Sequence, residues 1–199
     1  FNKKILVVGL PQKEINNNLT KEQKKNNINF LVFAGSQGSI DILNTFTKII
    51  EKLKKISKFN KIKFIVQCPL QKQSEIKSLL IKNNYEFEIA TFFKSFENIL
   101  SKSDIALCRS GAGTINDLIN FKIPAIISPL PSAKNNHQYE NAKILSNIEC
   151  AIIIDKNKID TDKINLFISK VLNDKNFNKS LLDNFNKIKV QNTNKLMWE

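Results

Sequence analysis

The run Asp104-Ile105-Ala106-Leu107-Cys108-Arg109-Ser110-Gly111-Ala112-Gly113-Thr114-Ile115-Asn116-Asp117-Leu118-Ile119-Asn120 passes from an almost wholly apolar segment, through a glycine-rich turn, into a helical pattern. A short strand buried on both faces reads this way, because neither face has water to meet. The same alternation extends to both sides. Strands are expected over residues 4–8, 29–34, 63–68, 86–91, 104–108, 125–128 and 151–154. Helices are expected over 40–56, 71–82, 95–101, 114–120, 136–147, 161–173 and 176–190. In the first of these, Ile42, Leu43, Phe46, Ile49, Ile50 and Leu53 recur at helical spacing, one apolar stripe facing a core. Strand-helix alternation implies right-handed βαβ units. The fold class is therefore α/β, a Rossmann-like parallel sheet with helices on both faces. Residues 11–27 are polar and rich in Lys and Asn, so residues 1–27 read as a linker strand and hinge, and 28–199 as the main domain. A chain beginning Phe1-Asn2-Lys3 suggests part of a longer polypeptide with a further domain upstream.

Composition narrows the function classes. The 199 residues carry 31 Lys+Arg against 18 Asp+Glu, a net charge of +13, and Arg109 is the only arginine. Phosphate- and base-reading surfaces usually rely on arginine's planar fork as well. The lysines are spread over helix faces and loops, so a solvated basic surface is favoured over a nucleic-acid site, with weak attraction to anionic lipid remaining. No run approaches the roughly 18 apolar residues a membrane span needs. The three cysteines, Cys68, Cys108 and Cys150, are scattered, with no C-x-x-C and a single histidine, which reads as buried reduced thiols rather than a zinc site.

In parallel α/β sheets ligands bind beyond the carboxyl ends of the strands. Two of those ends are glycine-rich: Gly35-Ser36-Gln37-Gly38 opening the first long helix, and Ser110-Gly111-Ala112-Gly113-Thr114. The glycines are expected to let the backbone turn tightly and to leave room for a ligand. Backbone N–H groups at a helix start suit a phosphate. Asp117, one turn further in, is placed to accept from a ribose diol. Neither loop is G-x-x-x-x-G-K-[ST] or G-x-G-x-x-G, so a P-loop and a dinucleotide fingerprint are excluded. Arg109 stands where it either braces the loop or reaches a phosphate, and bracing is favoured. His137 and Gln138 open a later helix, where a helix-start role competes with binding sugar hydroxyls. No Ser/His/Asp set, carboxylate pair or metal cluster is evident, so no catalytic residue and no metal ligand is assigned.

Taken in order, these motifs resemble the C-terminal, donor-binding domain of the MurG family of peptidoglycan glycosyltransferases, over nearly the whole chain. Gly9-Leu10-Pro11-Gln12-Lys13 stands where the family has Gly-Asn-Pro-Val-Arg, and Gly35-Ser36-Gln37-Gly38 matches part of its Gly-Gly-Ser-Gln-Gly loop. Arg109-Ser110-Gly111-Ala112-Gly113-Thr114 through Asp117 matches Arg-Ser-Gly-Ala-x-Thr…Glu, with Asp for Glu. His137-Gln138 and Asn141-Ala142 match His-Gln-x-x-Asn-Ala. The resemblance implies the C-terminal half of a GT-B glycosyltransferase, with 28–199 as a UDP-sugar donor-binding domain. It implies an inverting transfer of GlcNAc from UDP-GlcNAc to the lipid-linked muramyl pentapeptide, the acceptor and general base belonging to an upstream domain, so that the fragment alone is inactive. Uracil is implied near Phe92 and Phe93, and the diphosphate at Ser36, Gln37, Gly38 and the second loop (Gly111, Ala112, Gly113, Thr114). Ribose falls to Asp117 and GlcNAc to His137 and Gln138. Lys13 and Arg109 complete the implied substrate-binding set. No cofactor is required, and a divalent cation accompanying the diphosphate is compatible. The implied location is cytoplasmic, peripheral on the inner face of the membrane. Another UDP-sugar transferase, an epimerase of the same fold and a basic polyanion-binding module are the alternatives.

Overall fold

A computed structural model describes residues 28–34, 40–53, 62–130, 136–155 and 158–188. The expected strand over 4–8, the linker up to residue 27 and the first glycine loop fall outside these residues.

Six parallel strands are described: β1 (Ile28–Val32), β2 (Ile62–Gln67), β3 (Glu86–Ala90), β4 (Ile105–Cys108), β5 (Ala125–Ile127) and β6 (Ala151–Ile153). They alternate with α1 (Ile40–Leu53), α2 (Leu70–Lys82), α3 (Phe96–Lys102), α4 (Ala112–Phe121), α5 (His137–Ser146) and α6 (Thr161–Asn173), after which α7 (Lys175–Lys187) follows directly. The sheet order is β3-β2-β1-β4-β5-β6. The chain walks outward from β1 to β3, crosses back through α3 to β4, and walks out the other way. Right-handed crossovers then force helices onto opposite faces. Accordingly α1 neighbours α2 and α6, whereas α4 neighbours α3 and α5.

Burial follows sheet position. Every residue of the inner strands β4 and β5 is buried, while the edge strand β3 is half-exposed along its length. Phe64 sits at the centre of one face, its ring 5.3 Å from Phe30, 5.2 Å from Phe46 and 5.0 Å from Tyr85. Offset aromatic contacts of this kind add to the area they bury. Register is set by Phe30 lying opposite both Phe64 and Ile105, which aligns the ends of β1, β2 and β4.

Within the described residues each element matches the sequence expectation to within two residues, apart from the end of α7, and the shift that bears on the site is at the start of α4. That helix begins at Ala112, not Thr114, because the Gly111 carbonyl already accepts from Ile115 N at 3.0 Å. Gly113 is therefore a first-turn helical residue. The expected tight glycine turn is also corrected: Gly111 has φ −59° and ψ 149°, values open to any residue, and Gly113 lies outside the left-handed region. The last helix ends at Lys187, short of the expected 190, with Ile188 already extended at ψ 110°.

Candidate functional site

The strand order reverses between β1 and β4, and in parallel α/β sheets the region beyond the carboxyl ends of the strands at such a reversal is where a ligand crevice is expected. The β4 side of the crevice is fully described. Beyond Cys108, the chain passes through Arg109, Ser110 and Gly111 into α4. Among the described residues, Gly111 and Gly113 have no neighbour that demands glycine. A Cβ on Gly111 would meet only Thr114 Oγ1 at 3.8 Å, and one on Gly113 would meet nothing within 4 Å. Ala112 and Gly113 are exposed and Thr114 is half-buried, so the first turn of α4 presents backbone to the crevice. Asp117 is half-buried one turn on.

The loop is held by two sets of bonds. Arg109 is 5% exposed. Its Nη1 donates to the carbonyls of Ser128 (2.7 Å) and Pro129 (3.1 Å) beyond β5, and its Nη2 pairs with Asp41 Oδ2 at 3.2 Å in the first turn of α1. Burial pulls the guanidinium pKa down and Asp41 opposes that shift. The planar fork can serve carbonyls on one prong and a carboxylate on the other. The second set ties the loop to α5. Ser110 Oγ donates to the Gln138 carbonyl at 2.6 Å, Asn141 Nδ2 donates to the Ser110 carbonyl at 3.0 Å, and Leu130 N donates to Gln138 Oε1 at 3.0 Å. Buried polar networks of this kind specify one loop geometry because each unmade bond is costly.

Against the residues singled out from sequence, the structure brings together Arg109, Gly111, Ala112, Gly113, Thr114, Asp117, His137 and Gln138 on the β4 and β5 side of the crevice. Arg109 braces. Gln138 spends its side-chain oxygen on Leu130 N. His137 is exposed as the first residue of α5. Of the two aromatic residues singled out, Phe93 is 7% exposed and packed in the core, whereas Phe92 is 73% exposed. Lys13, Ser36, Gln37 and Gly38 lie outside the described residues. Asp41, Ser128 and Asn141 were not among the assigned site residues. A lone arginine at the end of an apolar strand demands a carboxylate within reach, but that Asp41 is the one depends on β1 pairing with β4.

Other features lie apart from the crevice. All three cysteines are buried and unpaired. Burial pushes the Cys68 thiol up to about 11 and Cys150 to about 12, with Glu75 and Glu149 adding to the rise, and raises Cys108 further still. These thiols are inert as nucleophiles. A shallow concavity of about 630 Å³ lined by Ser169, Lys170 and Asn173 to Asn176 sits at the α6–α7 elbow. Among the described residues, no group of three or more His, Cys, Asp or Glu is placed to hold a metal ion, and no helix is long and apolar enough to cross a membrane.

The six-stranded order with its crevice at the β1–β4 reversal defines a Rossmann-like α/β domain of GT-B glycosyltransferase architecture. The crystal structure of Acinetobacter baumannii MurG superposes with a TM-score of 0.73 over 89% of this chain and 52% of that one, at 22% identity. The spinosyn rhamnosyltransferase SpnG gives a TM-score of 0.63 at 14% identity, over 89% of this chain and 46% of that one. The chain belongs to the glycosyltransferase family 28 C-terminal domain family, which it matches over residues 29–197. It is 30% identical over 167 residues to the UDP-N-acetylglucosamine--N-acetylmuramyl-(pentapeptide) pyrophosphoryl-undecaprenol N-acetylglucosamine transferase of Rickettsia bellii, covering 84% of the chain and 46% of the relative. With the same transferase of Rickettsia canadensis it shares 34% over 165 residues, 82% of the chain and 47% of the relative. The chain thus spans about half the length of the curated relatives it matches.

Proposed function

We propose that this chain binds UDP-GlcNAc and serves as the donor half of an inverting transferase that adds GlcNAc to lipid-linked muramyl pentapeptide in peptidoglycan synthesis. The observation that carries the reading is the braced Arg109–Thr114 loop at the strand-order reversal, a glycine-opened helix start whose glycines answer to nothing among the described residues. The family membership and the names of the Rickettsia relatives support the sugar and the acceptor.

In this reading the backbone N–H groups opening α4, with Ser36, Gln37 and Gly38 before α1, meet the diphosphate. Asp117 accepts from the ribose hydroxyls, and His137 with Gln138 meets the sugar. Phe92 offers its face to the uracil. As the glycosidic bond to UDP breaks, negative charge grows on the β-phosphate, and preorganised N–H dipoles stabilise it without reorganising. Deprotonation of the acceptor hydroxyl, the other requirement of the displacement, is assigned to the part of a full-length relative that this chain does not cover. A lipid-linked acceptor places the enzyme on the cytoplasmic leaflet, where the +13 charge adds a weak, salt-sensitive attraction to anionic lipid. Calorimetric titration with UDP, UMP and uridine tests the donor site: UDP is expected to bind more tightly than UMP, and UMP more tightly than uridine. Equal binding of UDP and uridine would overturn the diphosphate assignment.

A further inference from the structure

Asp41 lies at the crevice without a role in the reading above. A carboxylate in the first turn of α1 favours that helix by itself. It is also an acid beside a site that takes an anion, and unmatched it would repel the ligand. Its charge is matched by Arg109, whose Nη2 lies 3.2 Å from Asp41 Oδ2. The same guanidinium is buried and holds the carbonyls of Ser128 and Pro129 with its other prong. One rigid fork therefore joins the start of α1, the end of β4 and the end of β5. These segments belong to both sides of the strand-order reversal, and α1 and α4 run on opposite faces of the sheet.

We propose that Asp41 is a positioning residue for the nucleotide: through Arg109 it keeps the first turn of α1 in register with that of α4, so that both helix starts converge on one diphosphate. This rests on the diphosphate reading above. A diphosphate spans both helix starts, whereas a monophosphate needs only one, so the spacing between them matters to UDP and not to UMP. Asp41 also neutralises the buried guanidinium and keeps it turned into the clasp.

The test is the ratio of UDP to UMP affinity in the 199-residue chain, measured by calorimetry, with urea unfolding to fix the folded fraction. In Asp41→Asn the UDP affinity is expected to fall about five- to tenfold with UMP affinity unchanged, so the preference collapses. Asp41→Glu, which keeps the charge on a longer arm, is expected to fall between Asp41→Asn and the native chain. A purely structural role would lower the urea midpoint and leave the ratio at its native value, and that result overturns the proposal. Should Asp41→Asn fail to fold, the ratio in Asp41→Glu decides: reduced supports the proposal, unchanged overturns it. A native chain that shows no UDP preference overturns the diphosphate reading and this proposal together. A native preference that both variants retain overturns this proposal alone.

Discussion

Replacing Gly111 by alanine separates what the fold needs from what a ligand needs. At φ −59° and ψ 149° the backbone accepts any residue, and the added Cβ would sit 3.8 Å from Thr114 Oγ1, an ordinary contact. The cost to the free protein is then only the poorer helix N-cap, about 0.5–1 kcal/mol. For a domain of this size that lowers Tm by about 1–4 °C. The bound state is different. The methyl group occupies the mouth of α4, where the first-turn N–H groups must approach a phosphate. Forcing a methyl into a filled contact costs about 1–3 kcal/mol. That corresponds to a loss of UDP affinity of about 5- to 150-fold. Gly113→Ala is the paired control. It adds a methyl with nothing among the described residues within 4 Å, in a helical residue. Alanine's higher helix propensity should raise stability by about 0.5–1 kcal/mol. The group Gly113 offers a ligand is its backbone N–H, which alanine keeps, so UDP affinity should stay within about threefold, a shift of less than 1 kcal/mol. Thermal unfolding without ligand and calorimetry with UDP read both quantities. If Gly111→Ala binds UDP as tightly as the native chain, the space above this loop is not the phosphate site and the reasoning fails.

Arg109→Lys keeps a charge but cannot serve Asp41 and two carbonyls together; a loss of about 2–3 kcal/mol in urea unfolding is expected, and a change under 0.5 kcal/mol would show that the clasp is not structural. Asp117→Asn should weaken UDP by about 1–3 kcal/mol through loss of charge-assisted bonds to the ribose, with the ligand-free melting temperature little changed; the opposite pattern would make Asp117 a helix-stabilising residue only. The buried thiols give a pH signature. Their pKa values are raised from 9.0, to about 11 at Cys68 and about 12 at Cys150, so the folded state holds its protons longer than the unfolded one. The stability they contribute is complete below pH 9 and is lost as pH rises through 11 to 12, which urea midpoints across that range would show. At pH 8 a thiol reagent should find no cysteine in the native chain and all three in urea.

The βαβ order was legible in the chain because two-face burial leaves short apolar runs such as Ile105–Cys108, and one-face burial leaves helical stripes such as Ile42, Phe46, Ile49 and Ile50. The α4 boundary was not legible, since glycine signals freedom rather than a conformation, and only the Ile115-to-Gly111 bond showed the helix starting two residues early. The glycine loops were visible as motifs, and so was the carboxylate one turn beyond the second. Which of Phe92 and Phe93 faces inward was not, because adjacent identical side chains in a loop carry no periodicity. Nor was the partner of Arg109. A sequence shows a lone arginine at a strand end and an acid at Asp41, residues far apart along the chain. Whether they meet depends on β1 lying beside β4, a pairing between distant segments that composition and periodicity do not encode. Local patterns determined the elements and their burial, because propensity and amphipathicity act within a few residues. The crevice, the clasp across three loops and the double duty of Gln138 were decided only when packing brought distant strand ends to one edge of the sheet.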